Sequence, residues 1–595
     1  MKRYLALAVI VLAGIIPFAS RAVFMDEHIF LQIAENAQHN WLFPQDTPGV
    51  FFGIPVANFA AHTHPPVGEY YLAGVYALLG GFSEVPFRLA FSIFPIAAVL
   101  AFYYLATRFT RQPFEVALIF ALSPAFLVMT PTLMMDTPAL AFLLVGFALY
   151  FAHLDGRKHT LPVAGICFVL AAGTGYTVLV PLACLLIQMG LATRPRKEML
   201  AVVAAPAALV VWQTVMTTHF GTVPVAGTVG FYADQMGALL HKIGATLGFL
   251  GTLAIFPWSI VVLMNRSNRK VIISLLAVGA GLALIVGPWF AFGATSGLLL
   301  LLEFARCARK IIGAEDNRGE AVFIAWLPAT VVFFIVVADM INARYILLSL
   351  PALYLVLFRD SSRRQLIGVM VPTAVLSICL AYADFTFVNA YRSWVAATVV
   401  PLQTQGFKVW SASESGLRFY LQREGSQPLT MDDLRPRGTD LVVQHDLFRY
   451  SLSADVATML IPISRTPLNS AFPLRTFSRE SQAGFHDSRI GLMPFQISRV
   501  PLDHVDISEM SPLVLGLPQR GISGEDVPAW SPKGPILKQS QERREFKVKI
   551  PAHTKLEYEL EGDGQAETGA DGIILRRRSP GTIVWRNLRL VPFQE

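Results

Sequence analysis

The chain has 595 residues, of which 54% are hydrophobic and only 15% charged, whereas an average soluble domain is about 45–50% apolar and about 25% charged. That balance, with a mean hydropathy of +0.51, excludes a soluble enzyme of this size, a disordered chain and a disulfide-stapled mini-protein. The net charge of +7 sits mostly in residues 1–382, which carry 23 Lys and Arg against 17 Asp and Glu, while residues 383–595 carry 25 against 24, so the basic balance points to membrane loops and not to nucleic acid.

Apolar runs fall at 4–20, 87–107, 114–130, 138–154, 161–174, 176–191, 199–217, 243–264, 271–292, 295–305, 320–338, 345–358 and 365–382. They predict a polytopic α-helical membrane domain over 1–382 with about 13 transmembrane helices, several of them shorter than the ~20 residues of an ideal span. Short or broken spans are tolerated where backbone lines a protein-walled cavity. With the N-terminus placed in the cytoplasm, 19 of the 23 basic residues fall in cytoplasmic loops, among them Arg157, Lys158, Arg194, Lys197, Arg266, Arg318 and Arg359. Only Arg21, Arg88, Lys242 and Arg344 remain outside, which is the positive-inside asymmetry.

The run YYLAGVYALLGGF at 70–82 is too short to span and reads as an interfacial or re-entrant helix. Counting it as a span would turn every later basic cluster outward. Residues 21–86 are therefore one large external loop. The first run has the look of a signal peptide, with Lys2 and Arg3 before an apolar core, but no strong small-x-small site precedes Asp26. It is read as an uncleaved anchor.

Thirteen crossings place residues 383–595 outside, as an extracytoplasmic soluble domain of about 200 residues. Its first part, 383–500, reads as a small α/β unit: FKVW as a strand, SGLRFYLQREG as a helix ended by Gly425, and LVVQ as a buried strand. Its second part, 501–595, is β-rich, because FKVKI, KLEYEL, GIILRRR and TIVWRNLRLV alternate at period two between turn residues. The four cysteines, Cys167, Cys184, Cys307 and Cys379, show no metal or redox spacing.

Five features carry candidate chemistry. Asp26 and Glu27 follow the first run; carboxylates at a membrane boundary are costly unless used or solvated, and one held near a hydroxyl can act as general base. The plain alternative is a polar helix flank. His62-Thr-His64-Pro-Pro-Val-Gly-Glu69-Tyr70 puts two histidines and a carboxylate before the short helix, fit for a phosphate, a hydroxyl or a metal, or else an ordinary loop. Asp136 precedes Pro138 and suits a helix cap, which does not exclude chemistry. Arg344-Tyr345 stands on the face that positive-inside bias leaves poor in cations. Arginine binds phosphate with two donors, or snorkels to headgroups. Arg88 invites the same two readings.

The ordered set DEHIFLQIAENA, HTHPPVGEYY, Asp136 and ARYILLSLPAL at 343–353 resembles the protein O-mannosyltransferase and aminoarabinose-transferase group (glycosyltransferase family 39-like) of the GT-C glycosyltransferase superfamily. The resemblance covers roughly residues 1–382. It implies Asp26 as catalytic base, Glu27 in support, His64 near the donor phosphate, Asp136 as a second acidic residue positioning the acceptor or a metal, and Arg344 at the leaving phosphate. Two departures stand out: Val67 replaces the usual Leu, and GTGYTVL at 173–179 replaces a Thr-Lys pair of some relatives.

The implied activity is a membrane glycosyltransferase (hexosyl or pentosyl) of the cell envelope, with a periplasmic domain. It would move a sugar from a polyprenyl-phosphate donor to an extracytoplasmic lipid, glycan or protein acceptor, with inversion. The expected catalytic set is Asp26, Glu27 and Asp136; the expected substrate contacts are His62, His64, Glu69, Arg88, Arg344 and Tyr345. A divalent metal is a candidate cofactor that spacing does not assign. The alternatives are a polyprenyl-linked glycan flippase or ligase, or a secondary transporter. No duplicated halves are visible in the sequence, and the candidate charges lie at span ends, which argues against the transporter.

Overall fold

The computed structural model describes residues 1–192, 196–224, 239–264, 269–313, 319–433, 440–453, 456–457 and 460–510, together with strands between 529 and 592. Arg194, Arg266 and Arg318 of the expected basic loops lie outside the described residues. The chain divides into two compact units.

The first unit comprises 1–49, 56–390 and 469–502 and is helical. Every apolar run read from the sequence contains helix. Among the described residues five helices, 84–109, 136–154, 197–220, 288–312 and 363–404, are long and apolar enough to cross a membrane. The others are shorter. The helices used below are α1 (Lys2–Ile15), α2 (Glu27–Asn36), α3 (Val67–Leu79), α4 (Asp136–Leu154), α5 (Thr160–Ala172), α6 (Arg196–Phe220), α7 (Ala343–Leu357) and α8 (Arg363–Trp394).

Proline and glycine set the breaks. The 114–130 run divides into Pro113–Ala121 and Pro124–Met129, because Pro124 disfavours helical backbone at Ser123. The 243–264 run ends its helix at Leu253. Beyond it Pro257 interrupts, Trp258 adopts φ 64°, and the freed amides of Phe256 and Trp258 donate to Thr373 and Ser296. The 271–292 run stops at Val286, where Gly287 (φ 92°) and Pro288 begin the next helix. At the last run the difference is opposite in sense: α8 continues past 382 to Trp394, and helical backbone persists to Thr404. No Gly or Pro lies between Pro372 and Pro401 to stop it.

The run at 70–82 forms the expected short helix, α3, closed by Gly80 in the left-handed region (φ 69°).

The second unit comprises 50–55, 391–468 and 503–595. The strand, helix and buried strand read from the sequence are present as β1 (Val409–Ser411), helix α9 (Ser415–Arg423) and β3 (Leu441–His445), with a short β2 (Gln427–Pro428) between the last two. With β4 (Leu460–Leu468) and β5 (Asp503–Met510) they form a five-stranded sheet in the order β2-β1-β3-β5-β4. β1 is parallel to β2 and β3, and β5 is antiparallel to β3 and β4. Trp410, Val442, Tyr450 and Met510 are buried in its core. The four β-rich segments read from the sequence are strands, at Phe546–Val548, Thr554–Glu561, Gly572–Arg577 and Ile583–Pro592.

The expected boundary at 382/383 differs from the compact division in three ways, the first being that residues 50–55 of the 21–86 loop fall in the second unit. The helical unit runs on to Ala390, and it takes in 469–502, which composition alone had grouped with the C-terminal part.

Candidate active site

The turn before α2 separates the two adjacent carboxylates. Met25 adopts φ 52°, a left-handed conformation uncommon outside glycine, and the Asp26 and Glu27 side chains meet different partners. Glu27 is fully buried. Its carboxylate takes Arg88 at 3.0 and 3.2 Å, Arg21 at 3.3 Å, and the backbone amides of Leu133 and Phe24 at 2.9 and 3.1 Å. Burial alone would raise the Glu27 carboxyl, but Arg88 and Arg21 hold it below its ordinary value. Arg88, itself 1% exposed, also donates to the carbonyls of Arg21, Ala22 and Pro131.

These contacts bear on two expectations. Glu27 has no open face for a reacting group, and Arg88 spends its donors on protein and not on substrate. The pair ties the turn at 21–27 to the 131–133 segment.

Asp26 instead meets Arg344: Oδ2 accepts from Nη1 at 2.8 Å. On the other side, Asp136 Oδ2 lies 4.0 Å from Arg344 Nε. One guanidinium thus stands between carboxylates drawn from loop 21–26 and from the first residue of α4. Burial would raise the Asp26 carboxyl, yet Arg344, with His62 and His28 nearby, lowers it below its ordinary value, so it is a carboxylate at neutral pH. Arg344 is placed by the start of α7, where Asn342 caps the helix by accepting from the Tyr345 amide at 3.0 Å. Tyr345 stacks on Phe334 with centroids 5.1 Å apart and lies under the Arg344 guanidinium at 5.7 Å. One narrow cleft beside Arg344 is lined by Asp136, Thr177, Tyr345 and Leu348. A second is lined by Met25, Met134, Asn342, Phe485 and His486.

The histidine loop adjoins this group. His62 Nε2 lies 3.0 Å from Glu69 Oε1 on α3, and the His62 and His64 rings are 4.8 Å apart. Burial, then His62 and Arg344, pushes the His64 imidazole down to about 3. It is therefore neutral at physiological pH and offers a hydrogen bond to a phosphate or hydroxyl, not a charge. Two partners escaped the sequence reading. Gln45 donates to the carbonyls of His62 and His64, both at 2.8 Å. Tyr176, in the GTGYTVL segment, sits 5.0 Å from the His64 ring and donates to the Thr63 carbonyl at 2.6 Å. The signal that could have found Tyr176 is its place in the segment that departs from relatives.

Among the described residues no group of three or more His, Cys, Asp or Glu side chains is placed to hold a metal. Arg344 lies between Asp26 and Asp136, where a divalent ion bridging them would have to sit. The donor set as arranged does not fit one, and no step below is routed through a metal.

Residues 63–222 match the family model described as Dolichyl-phosphate-mannose-protein mannosyltransferase. The match takes in His64, Glu69, Arg88 and Asp136, and over this segment the chain resembles that GT-C family. No curated protein sequence matches the chain. Among solved structures, ArnT from Cupriavidus metallidurans bound to undecaprenyl phosphate is similar at 14% identity and a TM-score of 0.39, covering 78% of this chain and 95% of that one. The oligosaccharyltransferase of Archaeoglobus fulgidus in complex with Zn and sulfate is similar at 11% identity and a TM-score of 0.42, covering 74% and 67%. In the form tethered to an acceptor peptide, this chain spans 64% of that protein's length. Arabinofuranosyltransferase AftD from Mycobacteria is similar at 14% identity and a TM-score of 0.34, covering 86% of this chain and 40% of that one.

Proposed function

We propose that the chain is a membrane glycosyltransferase that moves a sugar from a polyprenyl-phosphate donor to an acceptor hydroxyl outside the cytoplasm, with inversion. In this reading the N-terminus is cytoplasmic, the C-terminal unit is extracytoplasmic, and the membrane is a bacterial inner membrane. The observation that carries the proposal is the Asp26–Arg344–Asp136 arrangement beside a half-buried, neutral His64, within a chain whose 63–222 segment resembles the mannosyltransferase family.

The chemistry follows from those groups. Asp26 takes the proton of the acceptor hydroxyl. The hydroxyl oxygen bonds to the anomeric carbon as the bond from that carbon to the phosphate oxygen breaks, and the electron pair leaves on the lipid phosphate. A single displacement inverts the centre. The phosphate gains charge as it leaves, and Arg344 meets it with two donors. In the resting arrangement the same guanidinium neutralises Asp26. Arrival of the donor phosphate draws it away and leaves the carboxylate free to act as base when both substrates are in place. Asp136 orients Arg344 and the acceptor.

The test uses the full-length protein in membranes, with a matched gene deletion to name the missing sugar by mass analysis of envelope glycans. Asp26→Asn keeps the size of the side chain and loses the base, so transfer should fall by at least about 100-fold with the protein still membrane-inserted. Wild-type transfer by that variant would refute the base assignment. Arg344→Ala should raise the donor KM more than the acceptor KM; the reverse would refute the phosphate role.

A further inference from the structure

One cavity of the helical unit lies away from the site just described. It is a groove of about 640 Å³ between α5 and α6, within the usual range for ligand pockets. Along α5 its wall is Leu161, Gly165 and Val169, spaced by one helical turn. Along α6 it is Leu200, Ala201 and Ala204. Its floor is close-packed, since a Cβ at Gly165 would stand 3.2 Å from the Ala201 carbonyl oxygen.

One end of this apolar groove is cationic. Lys158, just before α5, and Lys197, in the first turn of α6, are both exposed and both line it. The two helices run in the same direction, so both N-termini, with their unpaired amides and positive dipole ends, point to that end. His153, at the close of α4, completes it. Its ring is more than nine-tenths buried, Nε2 lies 3.5 Å from Glu198, and Nδ1 faces no hydrogen-bond partner among the described residues. Two acidic groups stand near the groove's cationic end, and both are engaged: Glu198 by His153 and Asp155 by Arg108.

We infer that this groove binds an anionic phospholipid, with its phosphate at Lys158, Lys197 and the two helix N-termini and an acyl chain lying against Leu161, Val169 and Leu200. Charge decides the headgroup, because two lysines and two helix dipoles favour an anion over a zwitterion. Place decides the source. The groove's cationic end is at the C-terminal end of α4 and Asp136 is at its N-terminal end, the two ends of a 19-residue helix standing about 27 Å apart at 1.5 Å per residue. A polyprenyl phosphate reacting at Arg344 has its phosphate at the other face, so the occupant is a resident lipid of the opposite leaflet.

Native mass spectrometry of the full-length protein, exchanged into detergent with phosphatidylglycerol or phosphatidylcholine, tests this. Wild type should retain phosphatidylglycerol severalfold over phosphatidylcholine. Lys158→Ala with Lys197→Ala should remove the preference, at roughly fivefold per lysine. Leu200→Trp, which fills the groove from an exposed position without touching a charge, should lower retention of both lipids, and guards against misfolding of the double variant. Arg344→Ala should retain lipid like wild type, which keeps this outcome separate from the transfer reading. Equal retention of the two lipids by wild type, unchanged preference in the double variant, or preferential retention of added undecaprenyl phosphate would each overturn the proposal.

Discussion

At the residue scale, adjacent carboxylates have been given different work by their surroundings. Glu27 is sealed between Arg88, Arg21 and two backbone amides, so its charge is compensated and inert. Asp26, one residue earlier, shares a guanidinium with Asp136 in a half-open cleft. Removing one partner of a buried pair leaves the other uncompensated, at a cost of about 3–5 kcal/mol. Glu27→Gln should therefore lower the thermal stability of the purified protein or its yield in membranes, where Asp26→Asn leaves both near wild type. If the two variants melted alike while only Glu27→Gln lost transfer, Glu27 would be the reacting group and Asp26 its support. The site was legible in the sequence to the extent that each member sits in a short motif: DEH, HTHPP, MDTP and ARY name their residues without reference to anything distant. What could not be read was how the members pair. Glu27 meets Arg88 from 61 residues away and the Leu133 amide from 106. Yet a signal was present: Arg21 and Arg88 are among the four basic residues of 1–382 that the sequence reading expects outside the cytoplasm, and scarce cations beside acidic residues are candidates for pairing before they are candidates for ligand.

At the element scale, one segment does more than its composition suggests. Residues 469–502 are polar enough to read as part of a soluble domain, yet they fold with the helices. The turn 484–489 is bound at both approaches to the site. The Phe485 carbonyl accepts the Ala343 amide at 2.9 Å, and Ser488 pairs with Ile341 through its amide and its hydroxyl, all just before Arg344. His486 Nε2 reaches Asp384 at 2.7 Å, whose second oxygen takes Arg21 at 2.9 Å, and Arg21 in turn holds Glu27 beside Asp26. His486→Leu deprives a buried carboxylate of one partner, at about 1–3 kcal/mol. It should lower both melting temperature and transfer, with partial recovery of both in His486→Asn, which keeps a donor. Unaltered transfer in a destabilised His486→Leu protein would confine the turn to a packing role. Sequence periodicity could not reveal this insertion, because the strands within 469–502 are two residues long, too short for any alternation to register.

At the scale of the whole molecule, the sparse charge of the apolar part becomes an argument about sides. Helices α4 and 363–404 are long and apolar enough to cross a bilayer, and the groups proposed for transfer sit at the start of α4 and beside the start of α7, while Arg157, Lys158 and Lys197 sit near the far ends of the α4–α6 bundle. Under the proposed orientation, the positive-inside rule predicts the lysine end in the cytoplasm and the proposed transfer site at the opposite end of α4, and alternate crossing of the runs predicts an extracytoplasmic second unit. Each step depends on the one before, so one measurement at the end of the chain tests them together. Glu424 follows α9 on the surface of the second unit, and the native cysteines lie within helices, Cys167 and Cys184 among them buried. Glu424→Cys should react in intact cells with a membrane-impermeant maleimide, and Lys158→Cys only after lysis. Both cysteines labelled before lysis would mean leaky cells. Glu424→Cys protected while Lys158→Cys reacts would reverse the orientation, and with it the claim that the sugar acceptor is met outside the cytoplasm.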